Sequence, residues 1–270
     1  MTAKVVHLNG SFVEEADAKV SLFDTGYLLG VGVFATLRGD DGVCFRPEAH
    51  LASLADGAAS FGLAAPDIPG LVAIADEVAR RIGGLARIRV TVSDTATSVF
   101  GERMTPPTAD EHAGGVALVT VNARRSGEGT PKTTSYGSQV VARAEAARRG
   151  ASEGVQLSKD GTVCGGTMAN LFLRSGRVLA TPSLASGCRA GVTRAVILEI
   201  APSLGLHVEE RRVLPEELFH ADELFLTSTR VDCLAVRSVD ERAVSRGEKT
   251  AALRDALLAT IVLERTARSR

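Results

Sequence analysis

Two hydrophobic periods divide this chain into short strands and medium-length helices. Residues 85–92 alternate Leu, Arg, Arg and Thr with Ala, Ile, Val and Val, the period of two of a half-buried strand. Residues 5–9 form a short apolar run stopped by Gly10. Residues 33–38 and 43–45 flank the Gly39–Gly42 turn, which predicts a hairpin. Pro47 then opens a helix with Leu51, Leu54, Ala58 and Phe61 at helical spacing and Gly62 as its stop. A second helix is predicted over residues 67–82, ended by Gly83 and Gly84, and a further strand over residues 116–121.

Residues 122–131 have no hydrophobic period and carry Gly127, Gly129 and Pro131, a linker composition. Past it the pattern predicts a helix over 135–149 closed by Gly150, then strands near 155–157, 162–163, 171–173 and 178–181. A helix over 192–204, strands over 207–213, 224–226 and 233–239, and a closing helix over 251–263 complete the chain. There is no internal repeat and no low-complexity tract. The expected organisation is α+β in two domains, residues 1–122 and 132–270, joined by a linker at 123–131. Clefts between domains are favoured ligand sites, so the ligand is expected there.

Composition narrows the function. Lys and Arg number 31 against 32 Asp and Glu, a net charge of −1. A near-neutral chain has no global field with which to hold nucleic acid or an anionic membrane. Apolar residues at 45% and charged residues at 23% are globular values and argue against disorder. Cys44, Cys164, Cys188 and Cys233 form no C-x-x-C, so neither a disulfide framework nor a zinc site is expected, and a reducing cytoplasm fits. No basic, then apolar leader follows Met1, and the longest weakly polar stretch, residues 26–37, falls short of the ~20 residues that span a bilayer. A cytoplasmic globular protein without a metal is expected.

Only five of the 31 cations are lysines, at positions 4, 19, 132, 159 and 249. Arginine stays protonated and cannot form a Schiff base, so amine chemistry has few candidates. Lys132 follows Pro131 at the domain junction, where desolvation favours the neutral, nucleophilic amine; by position alone the plainer reading is a solvated helix-start lysine. Gly191-Val192-Thr193-Arg194 opens a helix whose N–H groups suit a phosphate, or it is simply an N-cap. Thr227-Ser228-Thr229 offers three hydroxyls between two strands, on residue types common in turns. His50 and His220 read as structural, and no nucleophile elbow, P-loop, G-x-G-x-x-G or H-E-x-x-H occurs.

Taken in order, these segments resemble the class IV aminotransferase family, the fold-type IV pyridoxal-phosphate (PLP) enzymes. The resemblance covers nearly the whole chain. It rests on Phe23-Asp24-Thr25-Gly26 through Arg38, on Phe45-Arg46 with His50-Leu51-Ala52-Ser53-Leu54, and on Lys132-Thr133-Thr134-Ser135-Tyr136. Gly166-Thr167-Met168-Ala169-Asn170-Leu171-Phe172, Thr181-Pro182, Gly191-Val192-Thr193-Arg194, Ala221-Asp222-Glu223 and Thr227-Ser228-Thr229 continue it. Within the family the 4-amino-4-deoxychorismate lyase subgroup fits best.

The resemblance implies a two-domain α+β fold like that of D-amino-acid aminotransferase, a homodimer and PLP as cofactor. It makes Lys132 the Schiff-base lysine and proton shuttle and places Tyr136 near the cofactor's phenolic oxygen. Val192, Thr193, Ser228 and Thr229 would hold the phosphate. The implied activity is a lyase or aminotransferase acting on a small amino compound.

Two departures oppose this. The family's phosphate-binding Arg is replaced by Ser53, and the Glu that faces the pyridine nitrogen by Gly165. Hydrogen bonds to charged groups are worth about 1.5–3 kcal/mol each, so both losses weaken cofactor binding. An alternative therefore stands beside the first reading: a divergent member that works without PLP, as an enzyme or as a binding protein. Because the family accommodates Glu at position 165, room for that side chain is expected there.

Overall fold

The computed structural model describes residues 4–123 and 131–269. The chain divides into two compact units. The first comprises Met1–Thr105, Pro131–Tyr136 and Ile261–Arg270, the second Pro106–Thr130 and Gly137–Thr260.

The first unit contains β1 (Val5–Leu8), β2 (Ser11–Val13), α1 (Thr25–Leu28), β3 (Val33–Asp40), β4 (Val43–Cys44), α2 (Pro47–Ser60), α3 (Ile68–Ile82), β5 (Leu85–Val92) and β6 (Thr97–Arg103). Its six strands form one antiparallel sheet in the order β2-β1-β6-β5-β3-β4. Strand alternation gives this sheet two unlike faces. Val33, Ala35, Leu37, Ile88, Val90, Val92 and Val99 join Leu51, Leu54 and Ala58 of α2 and Leu71, Ala75 and Val78 of α3 in the core. Gly101 lets α3 approach, since a Cβ there would meet Val78 at 2.6 Å. The other face carries Phe34, Thr36 and Arg38 opposite Thr91, Arg89 and Arg87.

Asp24 pins the segment ahead of β3. It caps α1 and accepts hydrogen bonds from Tyr27 N at 3.1 Å, Ser93 Oγ at 2.7 Å and Thr95 Oγ1 at 2.5 Å. Burial would raise the Asp24 pKa, but these donors outweigh it and hold the carboxyl at about 2. The pinned segment exposes Leu22, Phe23, Tyr27, Leu28 and Leu29, with Phe23 at 82%.

The second unit contains α4 (Ala109–Gly114), β7 (Val116–Thr120), α5 (Gly137–Arg148), β8 (Glu153–Leu157), β9 (Val163–Gly166), β10 (Asn170–Ser175), β11 (Val178–Pro182), α6 (Val192–Ile200), β12 (His207–Arg211), β13 (Glu223–Ser228), β14 (Asp232–Val239), β15 (Arg242–Ala243) and α7 (Lys249–Arg268). Its sheet has nine strands in the order β12-β11-β10-β13-β14-β7-β8-β9, with β15 beside β14. The pairs β11–β12, β14–β7 and β7–β8 are parallel. Helix α7 is capped by the buried Glu223, which accepts from Thr250 N at 2.8 Å and Thr250 Oγ1 at 2.7 Å. The last turns of α7 belong to the first unit, where Arg265 pairs with Asp40 and Asp41, and Glu264 with Arg46.

The units divide the chain differently from the domains expected at 1–122 and 132–270. Strand β7, read in the first domain, joins the second sheet because its partners are β14 and β8. Residues 131–136 belong to the first unit, since Phe34 N donates to the Lys132 carbonyl at 2.8 Å and Thr134 N to the Gly32 carbonyl at 2.8 Å. Of the expected linker at 123–131, residues 124–130 lie outside the described residues. Among the described residues, no helix is long and apolar enough to cross a membrane, and no cluster of three His, Cys, Asp or Glu could hold a metal ion. All four cysteines are buried and outside any disulfide.

Candidate active site

In the first unit Lys132 is held by its backbone. Its carbonyl accepts from Phe34, Thr133 forms a bridge with Val33, and a Cβ on Gly57 of α2 would meet Pro131 and Val33 at 3.1 Å each. The Lys132 Nζ lies 4.7 Å from the centroid of the Phe34 ring. Tyr136 meets the same ring edge-on, with centroids 5.3 Å apart and planes at 80°. The structure thus brings two of the expected site residues, Lys132 and Tyr136, onto one aromatic side chain.

A third group joins them that the sequence reading passed over. Arg89 lays its guanidinium 3.6 Å over Phe34. Of the three arginines on this sheet face, Arg38 pairs with Asp40 and Arg87 with Glu102. Arg89 stands between Thr36 and Phe100 in the ladder and, among the described residues, pairs with no carboxylate. Its side-chain Nε donates to Thr91 Oγ1 at 3.2 Å. Burial, then Arg87, lowers the Arg89 pKa, and Tyr136 opposes them. A half-buried guanidinium without an anion suits a ligand carboxylate, which it can grip with two parallel hydrogen bonds.

His50, on α2, is uncharged near neutral pH. Burial, then the Lys132 charge, pulls its pKa from 6.5 to about 3. Ser53, one turn further along α2, is exposed.

In the second unit Asn170 ties the expected phosphate residues together. It pairs with Thr227 across β10 and β13, and its amide donates to the Arg189 carbonyl at 2.8 Å and to Cys188 Sγ at 3.1 Å. Its Oδ1 stands directly against Gly191, the N-cap of α6. Val192 and Thr193 follow Gly191 in the first turn of α6, and Ser228 and Thr229 follow Thr227, the partner of Asn170. No side chain caps α6 at Gly191, so its first N–H groups and the helix dipole are available to an anion. The Ser228 Oγ accepts from Arg230 N and Val231 N at 3.3 Å each, leaving its own hydrogen to donate. Thr227 Oγ1 is buried without a partner, an orphan that a bound anion would satisfy. Arg194, in contrast, is buried on Glu210 at 2.6 Å and the Pro182 carbonyl at 3.1 Å.

By chemistry alone, each unit offers groups that PLP could use: the first an amine suited to its aldehyde, the second helix N–H groups and hydroxyls suited to its phosphate. At position 165 the expectation of room for Glu is corrected. Gly165 has φ +136°, a conformation that side chains rarely adopt, and a Cβ would sit 3.1 Å from the Ala169 carbonyl oxygen. The strand bulges here, with the β8–β9 register shifting after Gln156, the partner of Gly165.

Similar proteins are known. The chain is 32% identical over 276 aligned positions to a Methanocaldococcus jannaschii protein assigned as a branched-chain-amino-acid aminotransferase, covering 93% of this chain and 94% of that one. It is 29% identical to the aminodeoxychorismate lyase of Bacillus subtilis, covering 92% of each. The crystal structure of Escherichia coli branched-chain amino acid aminotransferase superimposes with a TM-score of 0.88 at 28% identity, over 95% of this chain and 94% of that one. Residues 32–239 match the family described as amino-transferase class IV. The chain therefore belongs to the class IV aminotransferases, a family of enzymes that use PLP.

Proposed function

We propose that this chain is a PLP-dependent enzyme acting on a small amino compound that carries a carboxylate. It works as a lyase of the aminodeoxychorismate kind or as an aminotransferase. The observation that carries the reading is Lys132 and Arg89 on one Phe34 ring, at 4.7 and 3.6 Å. PLP, when bound, supplies an electron sink for the pair left when a bond at the substrate's amino-bearing carbon breaks. Lys132 Nζ offers the amine that holds the cofactor, then takes the proton from the substrate carbon. Tyr136, edge-on to the same Phe34 ring, would help hold the cofactor through its hydroxyl. Val192, Thr193, Ser228 and Thr229 hold the phosphate, and Arg89 orients the substrate carboxylate. In the lyase version Lys132 returns its proton as pyruvate leaves. In the transaminase version Lys132 Nζ would carry that proton away from the substrate carbon.

Exposed Ser53 and the bulge at Gly165 favour a second reading, a scaffold that acts without PLP, because each removes a charged contact to the cofactor. The exposed strip Leu22, Phe23, Tyr27, Leu28 and Leu29 supports a homodimer, as apolar clusters of this kind mark interfaces. Four buried cysteines outside any disulfide support a cytoplasmic location.

Absorbance during PLP titration, followed by borohydride reduction and peptide mass analysis, tests the first reading. A pyridoxyl group on Lys132 is expected, with amino-acid consumption releasing either pyruvate or a transferred amine. No label at saturating PLP, or label only on Lys159, refutes it. Sedimentation should show a dimer at micromolar concentration.

A further inference from the structure

Lys132 and Tyr136 stand on a short run of backbone whose place is set by its neighbours. Residues 131–136 belong to the first unit, and Gly137 already to the second. The run lies along residues 30–34. Phe34 N donates to the Lys132 carbonyl and Thr134 N to the Gly32 carbonyl, both at 2.8 Å, and Val33 bridges Thr133. The two runs lie too close for side chains at positions 30 and 32. A Cβ on Gly30, where φ is +70°, would meet Ser135 Cβ at 2.8 Å, and one on Gly32 would meet Thr134 Oγ1 at 3.0 Å. Packing this close passes a displacement of residues 30–32 directly to residues 132–136. Residues 30–32 are fixed in turn from Thr25. Its carbonyl accepts from Val31 N at 3.1 Å, and its hydroxyl donates to the Val31 carbonyl at 3.3 Å. Thr25 opens α1, which Asp24 caps, and its own N–H donates to Asp94 Oδ1 at 3.0 Å. The buried Asp24 carboxylate ties this start to Ser93 and Thr95, in the turn between β5 and β6.

We propose that Asp24 is a positioning residue for the reaction at Lys132. Through Thr25, Val31 and the close contacts at Gly30 and Gly32, its carboxylate fixes the backbone that carries Lys132 and Tyr136. It acts from the β5–β6 turn, through backbone, and takes no part in the chemistry itself. Its effect falls on the placement of the amine, and a misplacement of about 1 Å at a reacting group can cost about 10²-fold in rate. The inference rests on the reading of Lys132 as the reactive lysine.

The test compares Asp24→Ala, Asp24→Asn and Gly32→Ala with the wild type as full chains. Val78→Ala, a change in the core under α3, controls for lost stability alone. Asp24→Ala releases the anchor, whereas Gly32→Ala leaves it in place and wedges Thr134 away. PLP with borohydride reads the rate of pyridoxyl labelling at Lys132, and amide hydrogen exchange reads the Phe34 and Thr134 N–H bonds. In Asp24→Ala labelling and kcat should each fall about tenfold, with KM within about twofold of the wild type. Peptides holding Phe34 and Thr134 should exchange faster while those of β5 keep their protection. Gly32→Ala should change all of these in the same direction. Asp24→Asn, whose amide oxygen still accepts from Tyr27 N, should recover most of the rate. Val78→Ala should unfold at lower temperature and label at the wild-type rate. Wild-type labelling and exchange in Asp24→Ala, or in Gly32→Ala should Asp24→Ala not fold, overturn the inference and leave the proposed function standing. Equal slowing in Val78→Ala does the same. A wild type that takes no label at Lys132 overturns both.

Discussion

The amide oxygen of Asn170 stands where a side chain on Gly191 would begin. That contact holds the uncapped start of α6 beside β10 and β13, whose residues carry the remaining phosphate candidates. Gly191→Ala should displace Asn170 from its bonds to Arg189 and Cys188 and cost about 1–3 kcal/mol of stability, as overpacking does. PLP affinity should fall about tenfold as the first-turn N–H groups move. Thermal unfolding and PLP titration check both.

Arg89→Gln should raise KM for carboxylate-bearing amino substrates about tenfold or more and leave kcat nearly unchanged, because the contact is made in substrate and transition state alike. Arg89→Lys should recover only part of the loss, since an ammonium cannot make the bidentate grip. Steady-state kinetics on the loaded enzyme give the split.

His50 sets an acid sensitivity. Its pKa is depressed in the fold, from 6.5 to about 3, so below 6.5 the unfolded chain binds a proton that the folded chain refuses. Stability is unaffected above 6.5 and falls as pH drops through the window between the two values. The slope from this one group is at most about 1.4 kcal/mol per pH unit. Denaturant unfolding across that window should show a shallower decline for His50→Gln than for the wild type.

Gly165→Glu should not restore ordinary transamination. Its backbone, at φ +136°, resists any side chain, and the Ala169 carbonyl occupies the approach. A loss of about 1–3 kcal/mol is expected from strain, visible as a lower unfolding temperature in Gly165→Ala as well. Single-turnover measurement of amine transfer should find Gly165→Glu no faster than the wild type.

Some of this was legible in the chain and some was not, for physical reasons. Strand β5 lies over Leu85–Val92 as its alternation predicts, because one face is core and the other is not. Helix α3 keeps its predicted span, with Asp67 accepting from Gly70 N at 3.2 Å and Gly83 ending it. Strand β6 escaped notice because Thr97–Arg103 holds few apolar residues, its stability coming from partners β1 and β5 on both sides. Strand β7 was visible as a strand, yet nothing local says that its partner is β14, more than a hundred residues on. Lys132 stood out by segment and by the scarcity of lysines. Arg89 did not, since Arg-Ile-Arg reads as an ordinary solvent face. Only the ladder shows that Arg87 meets Glu102 while Arg89 meets Phe100.

The pinning of the Leu22–Leu29 strip by Asp24 has a thermodynamic corollary for the proposed self-association. A surface that is folded before it meets its partner surrenders little chain entropy on contact, so less of its apolar burial is offset by ordering. Without the Asp24 carboxylate the same side chains would have to be ordered at every encounter. Copies would then part at higher concentration although no apolar contact had been removed. Because Asp24 stays ionised down to a pH of about 2, that pre-ordering is insensitive to acid across the range in which His50 is not.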